Sequence, residues 1–472
     1  SQQPAASSQQ PAASSQQPAA KISYPDKSIV NKIIHGDNLE ALKSLLPEYE
    51  GKIDCIYIDP PYNTGKEGWV YNDAVNDPRV LKWLGQVVGK EGEDLSRHDK
   101  WLCMMYPRLK LLHRLLASDG VIFISIDNNE QAALKILCDE IFGYANHITN
   151  ICCVNNPKGR SDERYFATAH EYILAYKKTN ALDLAGFVPD DVVTSRYNKV
   201  DNGRLYREID LRKTGDNDTR EDREKMYYPF FYNPQTQHLI VGELDEAAPL
   251  DYITIYPKKT PRIDGRWRWS LDLAKDEIHT LFARYMPTKK QWSVFEKDYL
   301  DTREHVKPTT VWNFKDVNSE RGTELFIKYL GFNKDDFPNP KPIGTIKRLI
   351  GLVKSKNAII LDSFAGSGTT AQAVLALNTE DGGNRQFICI EMMDYAETVT
   401  AERVRRVISG YGEGKNSVAG TGGKFDYYTL GATLFNDDKN LNEDVGETTI
   451  RNYVAYSEHI PLSSQSSSTA QQ

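Results

Sequence analysis

Two short stretches hold residues whose types and spacing could do chemistry. In the first, an apolar run ends in Asp59-Pro60-Pro61-Tyr62, continuing as Asn63-Thr64-Gly65. Two successive prolines fix φ and stiffen the turn. The Asp59 carboxylate, the Pro60 carbonyl and the Tyr62 ring are therefore held in one geometry. Two acceptors beside an aromatic platform suit a planar base with an exocyclic amine. Asp59 and the Pro60 carbonyl would each accept one N–H and draw the nitrogen toward a tetrahedral form whose lone pair can attack. Tyr62 would stack on the base. The plainer reading is a rigid turn after a strand.

The second stretch is LDSFAGSGTTAQAVL, from Leu361 to Leu375. An apolar run ends in Asp362, and a glycine-rich turn then opens a helix. Gly366 and Gly368 let the backbone approach a ligand closely. There is no GxGxxG and no Walker lysine, which disfavours a dinucleotide enzyme or an NTPase. Phe364 offers an apolar wall instead. The next apolar run, QFICIE, ends in Glu391, placed to take two ribose hydroxyls. A nucleoside-bearing cofactor without pyrophosphate fits, S-adenosylmethionine being the common one. The sequence points to no metal.

Both stretches need a scaffold that presents strand ends. Apolar runs ending in acids recur: KIIHGD at Asp37, IDCIYID at Asp59, GVIFISID at Asp127, AIILD at Asp362 and QFICIE at Glu391. Between two of them, Leu109, Leu112 and Leu116 share one helical stripe. Buried strands alternating with helices indicate a parallel α/β sheet, in which ligands sit beyond the carboxyl ends of the strands. From 179 to 312 the alternation gives way to polar, aromatic and basic residues, which reads as an inserted domain.

Composition narrows the class. The chain has 472 residues, a net charge of -7 and six cysteines without a CxxC pair. This is the balance of a soluble protein with reduced thiols, as expected for the cytoplasm. No run reaches the length of a membrane span, and the polar, repetitive start lacks a signal-peptide pattern. The mild acidity argues against indiscriminate polyanion binding, but not against a local basic patch.

DPPY followed much later by FAGSGTT resembles the amino-methyltransferases of DNA, and this motif order resembles the β class of N6-adenine methyltransferases. The longer stretch from Asp59 through "GKEGEDLSRHDKWLCMMYPRLKLL" resembles the Mod subunit of type III restriction–modification systems. The resemblance covers roughly residues 29–178 and 313–410. It implies a Rossmann-like, S-adenosylmethionine-dependent methyltransferase fold with permuted motif order. It implies transfer of a methyl group to N6 of adenine in double-stranded DNA, with the base flipped out of the helix. Asp59, Pro60, Pro61 and Tyr62 would form the target-base site. Asp362, Phe364, Ala365, Gly366, Gly368 and Thr369 would line the cofactor, with Glu391 on its ribose and Asp37 at its adenine. Lys341 and Pro342, in FPNPKP, would lie near the methionine moiety. AHEYILAY, Ala169 to Tyr176, would be a strand beside the target pocket, where His170 is as readily a packed core residue. A homodimer and an ATP-dependent restriction subunit would be the partners. N4-cytosine or RNA methylation, a solitary DNA methyltransferase and a catalytically inactive DNA-binding specificity subunit are the alternatives. Asp at position 59 favours adenine, and the intact motifs disfavour the inactive form.

The chain is thereby expected to divide into a disordered repeat (1–21), a methyltransferase part with DPPY (22–178), a target-recognition domain (179–312), a methyltransferase part with the cofactor motif (313–420) and an extension (421–472). Within the insert, Lys258, Lys259, Arg262, Arg266 and Arg268 cluster with Tyr256, Trp267 and Trp269, a pattern suited to phosphates and bases. The opening repeat, SSQQPAA, is what the DNA heptamer AGCAGCC encodes when read in all three frames. Gain or loss of one unit would shift the frame, so the gene is expected to switch on and off by slippage, as a phase-variable regulator.

Overall fold

The computed structural model describes residues 31–64, 92–159, 164–189, 194–303, 305–436 and 440–458, together with the strand Gln16–Pro18. The rest of the opening repeat, the stretch of the type III match from Gly65 to residue 91, and the last residues of the chain lie outside these. The chain forms two compact units, 1–185 with 308–472, and 186–307. The second unit thus begins at 186 and ends at 307, a few residues inside the limits drawn from composition.

The first unit is built on a ten-stranded sheet. Its strands are β1 (Gln16–Pro18), β2 (Asn31–His35), β3 (Ile53–Ile58), β4 (Leu116–Ile126), β5 (His147–Cys153), β6 (Glu171–Lys177), β7 (Val311–Trp312), β8 (Ile359–Asp362), β9 (Gln386–Glu391) and β10 (Phe425–Thr429). Their spatial order is β1-β10-β2-β9-β8-β3-β4-β6-β5-β7. Only β6 runs against its neighbours, pairing antiparallel with β4 and β5. The central strands are short β-branched runs with both faces covered, so Ile33, Ile34, Ile56, Ile58, Ile122, Ile124, Ile360 and Ile390 have no exposed surface. Full burial of each such side chain contributes about 1.5–3 kcal/mol. Helices α1 (Asn38–Tyr49), α2 (Gly92–Leu115), α3 (Gln131–Phe142), α4 (Ile343–Gly351), α5 (Thr369–Asp381) and α6 (Glu402–Ser409) cover the sheet. The Leu109–Leu112 stripe packs inward from α2 as its periodicity predicts, but Leu116 begins β4 rather than ending the helix.

Strand order explains why motifs far apart in sequence converge. β3 and β8 are parallel neighbours, with Cys55 opposite Ile360 and Ile56 opposite Leu361. The turns that follow them, DPPY and the glycine-rich turn, therefore leave the same edge side by side. β9 lies on the other side of β8, and β2 beyond it places His35 opposite Glu391. Because β6 is antiparallel, its first residue, Glu171, opposite Cys153, reaches this same end.

The inserted unit has its own core, in which Trp267, Phe230, Leu211 and Val294 are fully buried. A four-stranded antiparallel sheet joins Leu281–Met286, Gln291–Tyr299, Arg204–Asp210 and Lys199–Asp201, beside a three-stranded sheet centred on Phe230–Asn233. Among the described residues no helix is long and apolar enough to cross a membrane.

Candidate active site

The DPPY turn is held from three sides. Trp101 of α2, wholly buried, donates its indole N–H to the Pro61 carbonyl at 2.7 Å. Asn63 adopts a left-handed φ of 58°, which asparagine tolerates better than most residues. Its amide donates to the buried carboxylate of Glu130 at 2.5 Å, and His98 meets the same oxygen at 2.5 Å. With the two prolines, these contacts leave Asp59 little freedom.

Four polar side chains converge at the turn. Lys341 Nζ lies 3.3 Å from Asp59 Oδ1 and donates to Glu171 Oε2 at 2.7 Å and to the Tyr62 hydroxyl at 2.5 Å. Tyr62 in turn donates to Glu171 Oε2 at 3.0 Å. The ammonium also lies 4.9 Å from the centroid of the Tyr62 ring. Asp59 Oδ1 is buried and is held by that 3.3 Å ion pair to Lys341. Burial pushes the Asp59 carboxyl above the usual range, and Lys341 pulls against it. Burial acts against the Lys341 charge, but Asp59 and Glu171 together hold its ammonium above the ordinary lysine range. Lys341 thus stands on the DPPY turn, whereas the resemblance assigned it to the cofactor's methionine end. Its backbone connects the two: the Thr369 hydroxyl lies 3.4 Å from the Lys341 carbonyl, and Pro342 caps α4.

Glu171 is the residue that sequence reasoning missed. Its signal was an acid opening an otherwise apolar strand, EYILAYK, which has little reason to carry a buried charge unless a partner awaits it. Its neighbour His170 is half-buried and meets Tyr172 edge-on at 5.0 Å.

The glycine-rich turn is shaped by positive φ at Gly366 (51°) and Gly368 (82°). A Cβ at Gly368 would lie 3.0 Å from the Thr400 carbonyl, so the backbone there admits no side chain without movement. Asp362 closes the turn: it accepts the Phe364 N–H at 3.0 Å and the Thr370 hydroxyl at 2.5 Å. Burial pushes its carboxyl up to about 7, against those two hydrogen bonds. Glu391 is also buried and accepts the Gly366 N–H at 2.8 Å and the Met393 N–H at 2.9 Å, one on each oxygen. Burial raises its pKa, and the backbone donors oppose the rise. Phe364 and Ala365 are nearly buried, and Phe337 lies over Gly366. Asp37 caps α1, its Oδ1 accepting from Leu39 and Glu40, while Oδ2 lies 3.5 Å from the buried Arg108. A buried carboxylate at one strand end and a side-chain-free turn at the next suit a nucleoside cofactor. The Tyr395 side chain also hydrogen-bonds the Glu391 carboxylate.

The basic cluster of the inserted unit requires a correction. Arg266 is buried, its guanidinium donating to the Asn217 carbonyl at 2.5 Å, and Trp267 is wholly interior. These two hold the unit together and are unavailable to a phosphate. Lys258 pairs with Asp264, Lys259 with Asp218 and Arg268 with Glu296. Each ion pair cancels much of the local charge. Arg262 is exposed. Tyr256 stacks on Tyr227 at 5.2 Å.

A parallel sheet with DPPY after one central strand and a glycine-rich turn after its neighbour defines a Rossmann-like methyltransferase fold with permuted motif order. More particularly, the chain belongs to the N6/N4 methyltransferase family described as DNA methylase, whose profile matches residues 53–402. It is 38% identical over 369 residues to the type II methyltransferase M.KpnI of Klebsiella pneumoniae, covering 78% of this chain and 82% of that one. It is 35% identical over 382 residues to the type III restriction-modification enzyme EcoPI Mod subunit of Escherichia phage P1, covering 78% and 58%. With the StyLTI Mod subunit of Salmonella typhimurium it shares 32% identity over 390 residues, covering 77% and 52%. The chain therefore spans little more than half the length of these type III relatives.

Proposed function

We propose that this protein transfers the methyl group of S-adenosylmethionine to N6 of adenine in a specific duplex DNA site, as the modification subunit of a type III restriction–modification system. The observation that carries the reading is Asp59 Oδ1: a buried carboxylate oxygen held by a long ion pair, 3.3 Å, to the Lys341 ammonium, which itself lies 4.9 Å from the Tyr62 ring centroid. A buried acceptor held by so long a contact suits an incoming N–H. When bound, the cofactor supplies an electrophilic methyl group on a sulfonium. Glu391, Asp362 and the turn from Phe364 to Thr369 would hold it. Asp59 and the Pro60 carbonyl accept the two amine hydrogens and orient the nitrogen lone pair. Tyr62 stacks on the flipped base. Alignment supplies most of the rate.

The type III assignment rests on the Mod relatives, and with it come a homodimer and an ATP-dependent restriction partner. A free-standing enzyme is a second reading, supported by the similarity to M.KpnI. Co-purification of an ATP-dependent subunit from the native host distinguishes them. Incubating the protein with duplex DNA and methyl-labelled cofactor, then separating the nucleosides, tests the chemistry. Label in N6-methyldeoxyadenosine is expected, and label in N4-methyldeoxycytidine would overturn the adenine assignment. The codon arithmetic of the opening repeat supports phase-variable expression. Tract lengths that differ between sibling colonies, with methylation only in the in-frame ones, are expected.

A further inference from the structure

Arg403, on α6, has no exposed surface, and among the described residues no carboxylate pairs with it. A buried guanidinium without an acid is uncommon, because the charge is expensive to desolvate. Its contacts are all neutral. Nε donates to the Gln372 side chain at 2.9 Å; Nη1 donates to the Ser367 hydroxyl at 2.7 Å and the Thr369 hydroxyl at 2.8 Å. Nη2 is buried and has no hydrogen-bond partner among the described residues. Burial pushes the group down to about 9, against an opposing pull from Tyr411, so it is still protonated at neutral pH.

Ser367 and Thr369 belong to the glycine-rich turn, and Thr369 is the first residue of the thirteen-residue helix α5. That helix has no side-chain cap at its N-terminus. Its unpaired N–H groups and its dipole favour an anion there. The buried guanidinium adds a full positive charge at the same place. A hydroxyl that accepts from a guanidinium is polarised and becomes a better donor; the Thr369 hydroxyl directs its proton to the Lys341 carbonyl at 3.4 Å, and the Ser367 hydroxyl lies 3.3 Å from that of Thr369.

We propose that Arg403 is the counter-charge for the carboxylate of the cofactor's methionine moiety, acting through the Ser367 and Thr369 hydroxyls. This deepens the reading of the turn as a cofactor site and rests on it. Arg403 is a positioning residue, since its guanidinium lies behind the turn rather than against the ligand. The cofactor carries one anionic group, the carboxylate, alongside a cationic ammonium and sulfonium. A positive charge beneath the turn therefore fixes its orientation, carboxylate toward Thr369. It also discriminates against nucleosides that lack that group.

The test uses two probes: S-adenosylhomocysteine, which has the carboxylate, and 5′-methylthioadenosine, which does not. Their affinities are measured by calorimetry for the parent, Arg403→Met and Arg403→Lys. Arg403→Met is expected to bind S-adenosylhomocysteine about tenfold or more weakly, with 5′-methylthioadenosine nearly unchanged and Arg403→Lys between. Equal losses for both probes would overturn the proposal, since a merely structural arginine would loosen the whole turn. Unchanged binding of both would overturn it too. If Arg403→Met does not fold, the parent alone carries the test: the methyl ester of S-adenosylhomocysteine should bind about tenfold more weakly than the free acid, and equal affinity contradicts the proposal. A parent that binds neither probe would instead contradict the cofactor reading itself.

Discussion

Lys341 Nζ stands 3.3 Å from Asp59 Oδ1, and the same ammonium donates to Glu171 at 2.7 Å. One cation thus serves two carboxylates brought together from β3, β6 and the segment before α4. An ionised Asp59 is the stronger acceptor for an amine hydrogen, and the Lys341 charge favours that form.

Replacing Lys341 by Met removes the group that opposes the upward push of burial on Asp59. The Asp59 pKa then rises further, so the acidic limb of the pH–rate profile should move to higher pH. Activity should be lost more severely at neutral pH than at alkaline pH. A profile of unchanged shape would mean that Lys341 does not act through Asp59.

Glu391→Ala removes the charge-assisted hydrogen bonds from the Gly366 N–H of the turn and from the Met393 N–H, and the acceptor proposed for the ribose. Such bonds contribute about 1.5–3 kcal/mol each. Cofactor affinity should fall at least tenfold while the sheet, anchored by its apolar strands, remains folded. Calorimetry showing unchanged affinity would remove Glu391 from the site.

Asp362 gives a pH signature. Its folded pKa, about 7, lies above the ordinary carboxylate value of 3.8. Between those values the folded state holds the proton more tightly, so this group's contribution to stability falls as pH rises through the window. Asp362→Asn cannot ionise. The stability of the variant relative to the parent should therefore increase from pH 4 to pH 7, with a slope approaching about 1.4 kcal/mol per pH unit. A difference independent of pH would show that Asp362 titrates normally.

The sheet was legible because each central strand announces itself as a β-branched run ending in an acid, and the acids mark the edge where ligands bind. Asp59 and Asp362 follow from that pattern directly. Glu171 and Arg403 do not, because antiparallel β6 and α6 meet the site only through tertiary packing. For the basic cluster the sequence shows the charges but not all of their partners. Asp264, which pairs with Lys258, lies within the cluster's own stretch, whereas Asp218 and Glu296, which pair with Lys259 and Arg268, come from other segments. Trp267 looked like a base-stacking residue but is the centre of a core, with Phe230 edge-on at 5.2 Å.

Recognition is expected to reside in the inserted unit, since the chemical motifs lie outside 186–307. Exchanging residues 179–312 with those of a relative should change the methylated sequence and leave the modified atom the same. A folded chimera that keeps the original site would place recognition elsewhere.

The most direct test of the account is single-molecule sequencing of DNA from cells expressing the parent or Asp59→Ala, with cofactor binding measured on the purified proteins. The parent should leave N6-methyladenine at one short sequence. The variant should leave none while binding cofactor nearly as well. Methylation by the variant within about tenfold of the parent, where loss of a transition-state hydrogen-bond partner should cost more, would contradict the role given to Asp59.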